Sequence, residues 1–164
     1  MKRRGLLVAL VVAVLAVGGF GFAFTSFSLT TLNEPSRVET YMATKAKHWL
    51  VGRSARGELP PATPNDARSV AYGQMLFGAR CASCHGFDAR TPTDVGRWMY
   101  PRTPDLGSPD VQSWSDAELF WIIKHGVRLT GMPGFGNIHS DEEIWHLVHY
   151  LRSLGSEPPD RPAR

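Results

Sequence analysis

The stretch Arg80-Cys81-Ala82-Ser83-Cys84-His85-Gly86 holds both cysteines of this 164-residue chain and sets a histidine directly after the second. Two thiols at that spacing have three chemical uses: clamping zinc, cycling as a redox disulfide, or anchoring a haem. A structural zinc site wants four ligands, commonly two cysteine pairs or a cysteine pair with a histidine pair. No second cysteine pair exists. His146 and His149 are the nearest substitute, but His146 sits beside an apolar face and His149 is expected to face solvent. A redox pair belongs at the start of a helix that follows a strand; here the pair follows a helical pattern and no strand is visible. The haem reading uses every residue. Cys81 and Cys84 add to the two vinyl groups of the porphyrin, and His85 becomes the proximal iron ligand.

The surroundings of the motif are helical. Before it, Ala67–Arg80 reads "ARSVAYGQMLFGAR", with Val70, Gly73, Leu76 and Phe77 on or beside one face. Glycine inside a helix costs about 1 kcal/mol relative to alanine, so Gly73 predicts close approach of another element. After the motif, Ser115 and Glu118 form a capping box before a helix carrying Leu119, Ile122 and Ile123. Ser140 and Glu143 open the last helix, whose Ile144, Leu147, Val148 and Leu151 recur at i, i+3, i+4 and i+7. Gly155 and Pro158 are expected to end it. No alternating strand pattern or internal repeat appears. A domain of about 90 residues with short helices and long loops has a thin core, and small domains of that kind commonly need a bound group.

The N-terminus has a different character. Lys2, Arg3 and Arg4 supply the whole formal charge of +3, and they precede Gly5–Phe24, which contains no charge. As a helix that run spans about 30 Å, the thickness of a hydrocarbon core. No Ala-x-Ala site closes it, so an uncleaved anchor is expected over a cleaved signal peptide. The positive-inside rule then leaves the N-terminus cytoplasmic and the rest extracytoplasmic. Ser36-Arg37-Val38-Glu39 reads as a capping box for a helix with a stripe of Val38, Met42 and Trp49, expected to pack on the domain or a partner, with membrane-surface binding as the alternative. Leu59-Pro60-Pro61-Ala62-Thr63-Pro64 then breaks the chain as a short linker. The expected order is an anchor over residues 1–24, a helix and linker over 25–64, the haem domain over 65–157 and a tail over 158–164. Without a basic patch outside the first residues, nucleic acid is not an expected partner.

Over about 90 residues, Asp66 to Gly155, the chain resembles the class I cytochrome c family. The resemblance rests on Cys81-x-x-Cys84-His85, on Gly73 and Phe77 eight and four residues before Cys81 in the helix that precedes it, and on "LVHYL", Leu147–Leu151. It implies an all-α, cytochrome c-like fold around one covalently bound haem c, with the last helix crossing the first at the glycine. The sixth ligand is then Met132, in "TGMPGFG", 47 residues beyond His85, where glycines permit close approach and Pro133 stiffens the loop. Met99 is expected to be packing, and His125 to interact with the last carbonyls of its helix. In the family a proline carbonyl orients the proximal histidine, and Pro104 matches it, with Leu106 packing on the haem. Arg97, Trp98 and Arg102 are candidates for the propionates, a solvated loop being the alternative.

Imidazole and thioether on one iron favour the ferrous state and suit electron transfer rather than substrate chemistry. The expectation is therefore a membrane-tethered, non-enzymatic monohaem carrier, on the extracytoplasmic (periplasmic) side of the cytoplasmic membrane. Its partners would be an oxidase, a quinol-oxidising complex or a dehydrogenase, with no small-molecule substrate. A fixed haem subunit of a larger complex is the alternative, and a five-coordinate gas sensor or peroxidase-like protein a third reading.

Overall fold

The computed structural model describes residues 2–26, 30–57 and 59–155. Among them every regular element is a helix and none is a strand, as expected. Helix α1 (Lys2–Ser26) carries the apolar run and extends slightly past Phe24. Its Arg3–Phe22 window has mean hydropathy 2.5 and no buried side chains, so it is long and apolar enough to cross a membrane. The chain up to Asn33 and the chain from Glu34 onward form two separate compact units.

In the second unit, α2 (Arg37–Ser54) starts where Ser36 Oγ accepts from the Glu39 N–H at 3.2 Å. The expected box is only half formed, because the Glu39 carboxylate accepts from the Tyr100 hydroxyl instead. The helix does pack on the domain, but not through the expected stripe. His48, Val51 and Ala55, at i, i+3 and i+7, make the contact, with the His48 ring stacked 3.7 Å from Trp114. Val38, Met42 and Trp49 are left exposed. The residues after it are laid along the domain as well: Leu59 packs on the core, and the Pro60 carbonyl accepts from Trp145 Nε1 at 3.2 Å.

Helices α3 (Ala67–Arg80) and α8 (Asp141–Gly155) form the main crossing. A Cβ on Gly73 would come within 2.6 Å of the His146 carbonyl carbon and 3.0 Å of Tyr150 Cβ, so the close approach that this glycine predicts is real. Helix α7 (Asp116–His125) begins with both halves of the Ser115/Glu118 box and packs on α8 and α2. Three short helices not visible in the sequence pattern lie in the loops: α4 (Ala82–His85), α5 (Asp94–Trp98) and α6 (Pro109–Gln112). Four or five residues are too few to display a helical period. They start from local caps, Thr93 for α5 and the Ser108-Pro109 step for α6.

The core is centred on α8, where Ile144, Leu147 and Val148 are fully buried against Phe77 and Phe120. Trp145, His149 and Tyr150 are buried too. His149, expected to face solvent, is 5% exposed and bonded to Ser69 Oγ at 2.7 Å. The four-residue apolar pattern marks only one face, whereas α3, α7 and the residues near Pro60 surround the helix. The expected Pro158 stop and the tail lie outside the described residues.

Candidate haem site

Cys81 ends α3, its N–H bonded to Phe77 O at 2.8 Å, and its own carbonyl accepts from Cys84 N and His85 N at 3.1 and 3.0 Å. One tight turn thus carries both thiols and the imidazole. Gly86, at φ +76°, ends the turn in a conformation that disfavours other residues. The loop beyond is tied back onto it: Thr93 Oγ1 donates to Ser83 O at 2.7 Å, Thr93 N to Cys84 O at 3.1 Å, and Leu106 N to Ala89 O at 3.0 Å.

Both thiols are free and half-buried. Burial, reinforced by the neighbouring Cys84, pushes the Cys81 thiol up to about 11. That is the wrong direction for a redox pair, which needs a thiolate near neutral pH. Among the described residues, no group of three or more His, Cys, Asp and Glu side chains is arranged to hold a metal ion, and a structural zinc site needs such a group.

His85 is half-buried, its ring centroid 6.2 Å from that of Phe77. Burial lowers its pKa, and the Pro104 carbonyl opposes that shift. Nδ1 is buried without a partner in hydrogen-bonding geometry. Leu106 is buried in the core.

Met132 lies between α7 and α8, half-buried. Val127 N donates to its carbonyl at 3.2 Å, and its own N–H donates to Thr130 Oγ1 at 3.1 Å. Gly126, at φ +71°, leaves no room for a side chain, since a Cβ would come within 2.8 Å of Met132 O. The Met132 side chain, like Cys81, packs against the domain's hydrophobic core. Of the alternatives, Met99 lays its sulfur against Gly131, beside Met132, a neighbourhood that sequence separation conceals. His125 is exposed with its ring 4.9 Å from Trp121, and the helix end is closed by Gly126 N–H to Ile122 O rather than by the imidazole. His139 pairs with Glu143 at 3.4 Å. Arg97 bonds Asp94 and the Pro92 carbonyl, Arg102 pairs with Glu34 at 3.0 Å, and Trp98 is exposed.

The donor set fits a covalently attached haem: two unbridged thiols and an imidazole in one turn, with a thioether against the same core. Fold and site together define a class I c-type cytochrome domain. The model of the family described as cytochrome c oxidase, cbb3-type, subunit III matches residues 68–151, just over half of the chain, and the chain belongs to that family. Its similar relatives include a thiosulfate dehydrogenase of Allochromatium vinosum, 28% identical over 77% of this chain and 49% of that protein. Another is the cbb3-type cytochrome c oxidase subunit FixP of Azorhizobium caulinodans, 31% identical over 57% of this chain and 32% of that protein. The chain spans half or less of the length of these relatives. In fold it resembles a chain of the Kuenenia stuttgartiensis reducing HAO-like protein complex, with TM-score 0.52 and 22% identity over 60% of this chain and 49% of that one.

Proposed function

We propose that the chain is a membrane-tethered carrier of single electrons, holding one haem c on the extracytoplasmic side of the cytoplasmic membrane. Bound through Cys81 and Cys84, with His85 and Met132 as axial ligands, the haem supplies a one-electron iron couple whose potential is raised by the thioether. The chain's own residues hold that ligand set still. The tight Cys81–His85 turn fixes the imidazole relative to both thiols. The Val127–Met132 bond and Pro133 restrain the loop that carries the sulfur. Phe77 and Leu106 keep water from the packed side. A doubly ligated iron that reorganises little suits outer-sphere transfer rather than substrate turnover, which supports a non-enzymatic role. The observation that carries this reading is Met132 packed on the core that Cys81 also touches.

The partners this chemistry suits are other redox proteins: an oxidase, a quinol-oxidising complex or a dehydrogenase. A second reading, a fixed haem subunit, is supported by relatives that are themselves named oxidase subunits. Met132→Ala tests the ligand assignment. The midpoint potential should fall by about 0.2 V, a fraction of the range that axial ligands span, and the ferrous protein should gain carbon monoxide binding. An unchanged spectrum and potential would remove Met132 from the iron. Rapid carbon monoxide binding by the unmutated protein would favour the five-coordinate reading.

A further inference from the structure

The packing of α2 leaves one face without an explanation. Val38, Tyr41, Met42 and Trp49 are 73%, 62%, 61% and 63% exposed. They follow one another at helical spacing, with Lys45 in the middle of the row. Lys45 Nζ stands 5.7 Å from the Tyr41 ring centroid, and the Arg53 guanidinium 5.8 Å from that of Trp49. A shallow groove of about 340 Å³ between Pro35, Arg37, Thr40, Tyr41, Thr44 and Lys45 opens on the helix. The helix carries four basic residues, Arg37, Lys45, Lys47 and Arg53, and one acid, Glu39, whose carboxylate is taken by Tyr100.

We propose that this face of α2 binds an anionic phospholipid surface, an inference that rests on α1 being a membrane anchor. Residues 27–36 alone separate α1 from α2, and ten residues reach about 35 Å at most. The covalent link limits how far the face can lie from the end of the anchor. Its chemistry matches a bilayer interface, where tryptophan and tyrosine sit at headgroup level and cationic side chains reach outward to phosphates. A protein partner is the poorer match, because the centre of a protein interface is depleted in lysine, and Lys45 occupies the centre here. Because His48 and Val51 fix α2 to the domain, seating the stripe orients the domain relative to the bilayer.

The test uses the haem-loaded full chain with Met42→Cys labelled by an environment-sensitive NBD probe. The chain is reconstituted into nanodiscs of phosphatidylcholine alone or mixed with phosphatidylglycerol. The expected result is blue-shifted emission that brominated acyl chains at least halve in the anionic discs, with clearly weaker quenching in the neutral ones. Lys45→Glu combined with Arg53→Glu should abolish the difference while leaving the haem spectrum unchanged. Water-like emission in anionic discs overturns the proposal. So does a blue shift without bromine quenching, which means protein covers the face, and so does quenching independent of lipid charge. Resistance of the chain to alkaline carbonate extraction reads the anchor separately. If the anchor fails, flotation of the chain with the same two lipid mixtures decides the surface, binding to anionic vesicles alone supporting it and no binding overturning it.

Discussion

Cys81 and Cys84 share a turn but not an environment, since Cys81 touches the core cluster and its thiol is held protonated by burial. A thiol of that kind is poor at disulfide exchange, which suits the attachment role proposed for it. Replacing both cysteines by serine should remove all covalently bound haem, read as loss of the haem-stained band on a denaturing gel. Either single replacement should leave one thioether and a reduced band. A stained band of full intensity from the double variant would separate haem retention from these thiols. Cys81, Cys84, His85 and Met132 were legible as candidate ligands, because ligand type and spacing are properties of the chain itself. Met99 was not, because its neighbour Gly131 is distant in sequence.

At the scale of elements, the α3–α8 crossing depends on an absent side chain. Gly73→Ala gains helix propensity of up to about 1 kcal/mol, but its methyl would strike the His146 carbonyl. Backbone displacement of that kind costs about 1–3 kcal/mol, so the urea midpoint should fall. A midpoint that rises would show the crossing to be compliant. The same crossing holds a polar cluster. The Ser69 hydroxyl meets His146 Nδ1 at 2.6 Å and His149 Nδ1 at 2.7 Å, and one hydroxyl hydrogen can serve only one of them. Burial, then the neighbouring His146, lowers the pKa of His149, with Asp116 and Asp66 opposing. The unfolded chain therefore takes up a proton before the folded one does. Stability contributed by neutral His149 is complete above its ordinary value near 6.5 and is lost as pH falls below it. Denaturant midpoints should decline over that interval, and His149→Gln should flatten the decline; an identical slope in the variant would assign the effect elsewhere.

At the scale of the whole molecule, the open question is whether the haem domain travels or is built in. A free carrier extracted in mild detergent should elute with the mass of one chain and its micelle, the haem absorbance following that peak. Coelution of the haem with additional subunits through repeated sizing would favour the fixed-subunit reading. The near balance of charge beyond the first residues predicts that electron exchange with a partner changes little with salt, since screening acts on net fields between surfaces. Stopped-flow rates across ionic strength check this, and a steep salt dependence would point to a concentrated patch at the docking site.

By itself the sequence determined the apolar N-terminal helix, the Ser115/Glu118 and Ser140/Glu143 boxes that open α7 and α8, and the glycine at which α3 meets α8, and it marked the Cys81–His85 turn proposed to carry the haem. Each of these is encoded by neighbours within a few residues or by a single steric requirement. Tertiary structure decided which face of α2 packs, that His149 is buried, and that Met99 lies beside the Met132 loop. Those outcomes depend on surfaces brought together from distant parts of the chain. A helical period marks an apolar face, but only packing on the domain, with His48 stacked on Trp114, selects His48, Val51 and Ala55 over Val38, Met42 and Trp49.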